Sequence, residues 1–290
     1  MPVRSGIAIG YQKSPNKRRI LELKQSKKIE TASNTASTYT GGITIKSSQE
    51  VDAMRGAGAV VGSVITLLKR SVEPGMTTKD LDKIAYKEIV RMGAKPTFKG
   101  YRGFPASICT SVNEEIVHGI PGKRVLQDGD IIKMDVGATL NGFIGDAAVS
   151  VAVGQVTQEA QDLMDATRES LEAGIRVCLP GNRIGDIGAA VQAYGEARNY
   201  GVVREFVGHG VGRFLHEDPQ VPNHGQAGTG PLLKTGMCIA IEPMFNLGDW
   251  RTRILDDNWT VVTADGKISA HFEHSITITE SGPEILTQHS

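Results

Sequence analysis

Met54, Ala57, Gly58, Val61, Ile65 and Leu68 recur at three- and four-residue steps, the spacing of one buried helix face. Ser47-Ser48-Gln49-Glu50 in front of them fits a capping box, so a helix is predicted from there. Pro74-Gly75 then breaks the chain, and a second helix is predicted to run to about Met92. The same order returns further on. A helix is predicted from about Gln158 to Arg176, then Pro180-Gly181, then another helix to about Asn199. Pro74, Gly75 and Asp80 recur as Pro180, Gly181 and Asp186 at one offset, 180 − 74 = 106. Each helix pair precedes strand-like sequence with a histidine, His118 in the first copy and His209 in the second. This order reads as a duplication whose halves pack about a pseudo-two-fold axis.

Between the copies the period changes from helical to alternating. Ile132, Met134, Val136 and Ala138 share one face of a predicted strand and Asp135 falls on the other. Asn141-Gly142 is a hairpin signal, and the apolar run from Phe143 to Val153 carries Asp146. A hairpin centred between Leu140 and Asn141 sets Asp135 directly opposite Asp146, a repulsive pairing that a shared cation relieves. A bulge or a neighbouring arginine would relieve it as well.

Three further segments add donors. His209 stands among glycines in Gly208-His209-Gly210-Val211-Gly212, which leaves an imidazole room to reach an ion. Glu242 ends the apolar run from Met237 to Ile241, where an unpaired carboxylate is costly. Glu273 lies in one alternating strand with Ser269, His271, Ser275 and Thr277 on its face, a face that solvent alone could cover. Four carboxylates and a histidine offer more oxygen than one ion needs, so two bridged ions and a hydrolase are expected. The mixed oxygen and nitrogen set does not choose among divalent metals.

Composition changes the picture at the amino terminus. Forty per cent hydrophobic and 22 per cent charged residues are ordinary for a soluble protein. No apolar stretch is read as a membrane span and no secretory leader is visible. Cys109, Cys178 and Cys238 give no disulfide framework and favour a reducing compartment. The net charge of zero hides a basic end: residues 1–30 sum to 8 − 2 = +6. A Ser/Thr/Gly-rich stretch follows, so residues 1–45 are expected to be a basic, flexible extension and linker and residues 46–290 the catalytic domain. The extension reads as a solvated tail, as a contact with RNA or the ribosome surface, or as a cleaved presequence.

The ligand order Asp, Asp, His, Glu, Glu, with Asn113-Glu114-Glu115-Ile116-Val117-His118-Gly119-Ile120-Pro121 upstream, resembles the type I methionine aminopeptidases of the pita-bread fold, over about residues 46–287. The resemblance implies an α+β fold, two duplicated α/β halves around an antiparallel sheet with a central dinuclear metal site. It also implies removal of initiator methionine from nascent chains with a small second residue, through attack of a water held between the ions. By the same resemblance Asp135 binds one ion, His209 and Glu242 the other, and Asp146 and Glu273 bridge both. Glu242 would act as general base, His118 would bond the scissile amide, and His216 would stabilise its carbonyl. Tyr101, Phe104, Cys109 and Trp259 would form the methionine pocket, with Phe214-Leu215 before His216 at its far wall. Asn113 and Ser269 would match a monovalent-cation site. The ions would be cobalt, manganese, iron, zinc or nickel, the protein a cytoplasmic monomer, and the partners the nascent amino terminus and, through the extension, the ribosome.

Type II members carry an insertion between the last two glutamates, which here lie only 273 − 242 = 31 residues apart, so type I is favoured. Residues 1–45 are too few and too polar for the amino-terminal domain of a proline-specific peptidase of this fold. A non-catalytic binding protein on the same scaffold would be expected to have lost ligands, and all five are present.

Overall fold

A computed structural model of the chain describes residues 42–289. The described residues all fall in one compact unit. The expectations for residues 1–41, a flexible basic extension with a ribosome contact, lie outside the described residues. Residues 42–46 already bond to the core: the Gly42 amide donates to Asp218, Ile43 bridges Asp218, and Lys46 pairs with Glu217 at 2.7 Å.

Helix α1 (Ser48–Ser71) opens with the expected capping box, Ser47 and Glu50 satisfying each other's backbone amides. By length and composition it could cross a membrane, contrary to the sequence reading that no stretch qualifies. It is a core helix instead, burying Val61, Ile65 and Leu68. Helix α2 (Thr78–Arg91) leads to β1 (Lys95–Pro96), β2 (Cys109–Val112) and β3 (Glu115–Val117). The long hairpin β4 (Ile131–Leu140) and β5 (Phe143–Ala152) follows. β4 is the middle strand of its sheet, with β1, β2 and β5 all pairing to it antiparallel. Its even-numbered residues from Ile132 to Ala138 are buried in the cluster that holds Val61, Ile65 and Leu68. Its odd-numbered face is therefore left for chemistry. Gly145 on β5 lets α1 lie close, since a Cβ there would come within 2.9 Å of the Ala57 and Gly58 backbone.

The second half begins with α3 (Gln158–Arg176) and α4 (Ile184–Glu196). Short strands β6 (Gly201–Val202), β7 (Gly208–Gly210) and β8 (Glu217–Val221) come next. They are followed by β9 (Cys238–Ile241), β10 (Met244–Asn246), β11 (Thr252–Ile254) and β12 (Val261–Thr263). β13 (Ser269–His271), β14 (His274–Thr279) and β15 (Gly282–Ile285) complete the chain. β14 joins β15 and β9 in one sheet with β7 and β8, whereas β13 pairs with β10 in another.

The duplication is visible bond by bond. Gly75 and Gly181 have φ of 93° and 92°, a left-handed turn that favours glycine. The Gly75 amide donates to Leu126 and that of Gly181 to Leu233, 2.8 and 3.0 Å. Asp80 and Asp186 each accept from the backbone amide three residues back, closing the first turns of α2 and α4.

Two expectations are corrected. The hairpin loop is Asn141-Gly142 itself, both residues at positive φ, so Leu140 faces Phe143 and Asp135 faces Ala148. Asp146 faces Gly137, which makes the two aspartates diagonal neighbours on one face and not a directly opposed pair. The second correction concerns residues 269–278, which form two strands in different sheets, broken at Phe272-Glu273. Their polar face is buried throughout, so solvent does not cover it.

Candidate metal centre and peptide pocket

The break between β13 and β14 is where the halves meet. Glu273 and Ala148 exchange backbone hydrogen bonds, Ser150 Oγ donates to the His271 carbonyl, and Ser275 Oγ donates to that of Asp146. β5 of the first half is thereby tied to the segment that carries Glu273. Asp135 and Asp146 come from the first half, and His209, Glu242 and Glu273 from β7, the end of β9 and the break.

Single donor atoms of Asp146, His209 and Glu273 all lie within 4.8 Å of one another. His209 Nε2 is 3.6 Å from Glu242 and 3.8 Å from Asp146. Its Nδ1 meets the Gly210 carbonyl at 2.9 Å, which leaves Nε2 for the carboxylates. The flanking glycines serve strand approach more than imidazole space: a Cβ on Gly208 or Gly210 would sit 2.3 or 2.2 Å from a carbonyl oxygen of β9 or β8.

The electrostatics ask for positive charge. Asp135 Oδ1, Asp146 Oδ1 and Glu273 Oε1 are buried without a hydrogen-bond partner. Burial raises the Asp135 carboxyl to about 7. Burial, and then the neighbouring carboxylates, hold Asp146, Glu242 and Glu273 well above the usual range. Orphaned, mutually repelling oxygens beside an oriented imidazole fit divalent ions of the manganese-to-zinc series.

All five residues line a cavity of about 190 Å³ with His118, His216, Tyr101, Phe104, Cys109 and Trp259. His216 bonds the Tyr101 hydroxyl through Nδ1 at 2.8 Å, and its ring centroid lies 4.4 Å from that of His209. His118 sits just past β3 at φ 60°, a left-handed conformation uncommon for a side chain of its size. Burial pushes it down to about 4 and His216 to about 3, so both rings are neutral at pH 7. Phe104 and Trp259 meet edge to face at 5.0 Å. The Cys109 thiol is raised by burial and then by Asp135, which makes it a neutral, soft wall.

Sequence reasoning missed two lining residues, Phe98 and Arg102, and Leu215 lines the cavity next to His216. Phe98 had one signal: Gly137, opposite Asp146, has no side chain because its Cβ would meet the Phe98 ring at 2.4 Å. Arg102 lies in an aperiodic turn. Asn113 and Ser269 do not line the cavity. They meet each other, the Ser269 amide donating to the Asn113 carbonyl at 3.0 Å.

Residues 52–280 match metallopeptidase family M24. The chain is 53% identical over 246 residues to methionine aminopeptidase 1 of Bacillus subtilis, covering 85% of this chain and 99% of that one. The chain belongs to the methionine aminopeptidases. The methionine aminopeptidase of Clostridium perfringens is 52% identical over 245 residues, 84% of this chain and 98% of its own length. The crystal structure of the Thermotoga maritima methionine aminopeptidase superposes with a TM-score of 0.84 at 46% identity, over 86% of this chain and all of that one. A prolidase from Pyrococcus furiosus, 20% identical with a TM-score of 0.71, shares the fold alone. The pita-bread architecture expected from the resemblance is therefore the fold of this aminopeptidase, with its metal-ligand candidates at the seam between the halves.

Proposed function

We propose that this aminopeptidase releases initiator methionine from nascent chains with a small second residue, using two divalent ions held by Asp135, Asp146, His209, Glu242 and Glu273. The observation that carries the reading is one cavity with two unlike walls, four buried carboxylates and a histidine on one side, aromatic rings and a thiol on the other. Asp135 would serve one ion, His209 and Glu242 the other, with Asp146 and Glu273 shared. Divalent ions bound there supply Lewis acidity and a nucleophile at neutral pH.

The chain's own groups carry the rest. Phe98, Tyr101, Phe104, Cys109, Leu215 and Trp259 enclose an unbranched thioether, and the sulfur favours such rings. Glu242 takes the proton of the attacking water and returns it to the leaving amine. Neutral His118 donates to the scissile amide. With Nδ1 of His216 engaged by Tyr101, Nε2 is the nitrogen left to bond the substrate carbonyl as charge builds there. Cobalt, manganese, iron, zinc and nickel all suit the donor set. A cytoplasmic, monomeric enzyme agrees with three free, buried cysteines, and the basic residues 1–41 offer a contact for the ribosome.

The test is metal-dependent methionine release from a Met-X peptide series, set against Xaa-Pro peptides, for wild type and Asp146→Ala. Met-Ala-Ser should be cleaved and Xaa-Pro peptides left intact. Cleavage of Xaa-Pro without Met-Ala cleavage would overturn the assignment. Deletion of residues 1–42 should reduce ribosome co-sedimentation; unchanged sedimentation removes the ribosome contact.

A further inference from the structure

Residues 271–275 run antiparallel along β5, with His271 bonded to Ser150, Glu273 to Ala148 and Ser275 to Asp146. Of these three pairs the middle one is joined by main chain: the Glu273 amide donates to the Ala148 carbonyl at 2.9 Å, and its carbonyl accepts from the Ala148 amide at 3.4 Å. At either end one hydroxyl makes both bonds. Ser275 Oγ accepts from the Asp146 amide at 3.1 Å and donates to the Asp146 carbonyl at 2.7 Å. Ser150 Oγ does the same for His271, at 2.9 and 2.8 Å. The two serines are buried and come from opposite halves, so each half staples the other once.

A side chain does this work at Ser275 because its main chain is engaged elsewhere. Its amide donates to Thr287 Oγ1 at 3.2 Å and its carbonyl accepts from the Leu286 amide at 2.9 Å. Without the hydroxyl, the buried amide and carbonyl of Asp146 would lose these partners. A hydroxyl donates and accepts at one atom, which threonine can match and alanine cannot. Donor atoms of Asp146 and Glu273 lie, with that of His209, within 4.8 Å of one another. The register across the seam is therefore also the spacing of two ion donors, and bonds behind such donors set how they point.

We infer that Ser275 and Ser150 are positioning residues for the metal centre: their hydroxyls lock β5 to residues 271–275 in one register and so set the distance between the donors Asp146 and Glu273. Neither serine lines the cavity, so each acts through the carboxylates and not on the peptide. This role rests on the reading of Asp146 and Glu273 as metal donors, and ion affinity measures it apart from the reaction.

Manganese is titrated into metal-stripped wild type, Ser275→Ala, Ser150→Ala, Ser275→Thr and Ser170→Ala, followed by calorimetry and electron paramagnetic resonance. Ser170→Ala is the control, removing a buried hydroxyl of α3 that bonds the Thr167 carbonyl of its own helix. Ser275→Ala and Ser150→Ala should each weaken manganese about 10-fold or more, and the spin-coupled signal of a manganese pair should give way to that of isolated ions. For Met-Ala-Ser, kcat should fall while KM stays within about 2-fold, because the peptide pocket is untouched. Ser275→Thr should bind manganese within about 3-fold of wild type, and Ser170→Ala should keep its affinity whatever its melting temperature. Unchanged affinity in Ser275→Ala, or an equal loss in Ser170→Ala, overturns the role of the serines and leaves the donor reading standing. Wild type that binds no manganese overturns the donor reading and the serine role with it. If Ser275→Ala does not fold, the other two seam variants decide: unchanged affinity in Ser150→Ala, or a loss of about 10-fold in Ser275→Thr, contradicts the inference.

Discussion

The two halves of the molecule repeat a scaffold and divide a chemistry. Gly75 and Gly181 adopt the same left-handed turn, within one degree of φ, and Asp80 and Asp186 close the same helix start. The strands that follow have diverged. The first half gives two aspartates from one continuous hairpin, held by ten register pairs; the second gives one histidine and two glutamates from three short, separately placed segments. Backbone constraint repeats because φ and hydrogen bonding leave few solutions. Placement of the candidate donors does not repeat, because a centre at a seam would need complementary donors from its two sides and not two copies of one set.

The largest effect should come from removing donors at the seam. Asp146→Ala and Glu273→Ala, one from each half, should each lower methionine release by roughly 10³-fold or more, the scale at which groups acting as one catalytic unit fail. A half whose loss left activity within about 10-fold of wild type would not share the centre. His118→Ala should act on turnover by about 10²–10³-fold with less change in metal content, measured by separate kinetic and metal analyses. Loss of metal together with turnover would make His118 a structural support of the centre.

Metal removal should expose the charge that the centre stores. The Asp135 carboxyl is raised above its unfolded value, so without metal its contribution to stability is present at low pH and is lost as pH rises towards about 7. Chelated protein should therefore lose melting temperature between about pH 4 and 7 relative to metal-loaded protein. A chelator-induced drop that does not change with pH over that window would contradict the repulsion. His118, lowered to about 4, has the other sign: its contribution is complete above about 6.5 and is lost as pH falls towards its folded value.

The smallest and most symmetrical effect lies in the scaffold. No atom would meet a Cβ at Gly75 or Gly181, so alanine there meets only the backbone penalty. Each substitution should cost roughly 1–2 kcal/mol in denaturant unfolding, equally in the two copies. Unequal costs would mean that the turns are alike in shape but not in role.

Much of this was legible in the chain because local rules were strong. α3 runs from Gln158 to Arg176 as its periodicity predicts, and the Ser47 capping box is in place. The candidate donors and pocket residues that the family resemblance pointed to all line one cavity. The register of the hairpin was misjudged by two residues, because a two-residue Asn-Gly loop puts the centre between Asn141 and Gly142. The break at Glu273 was invisible to alternation, since its cause is a tertiary exchange of bonds with Ala148 on β5. Phe98 and Arg102 lie in aperiodic segments, and Lys133 reads in sequence as one polar residue in an apolar strand. Only the fold shows that its side chain is buried.

The most direct test of a shared centre is a double-mutant cycle on methionine release from Met-Ala-Ser by metal-reloaded protein, combining Asp135→Ala with Glu273→Ala. The account predicts that each single change removes most of the activity and that the double variant loses little more, because the halves act as one unit. Losses that multiply independently would contradict it.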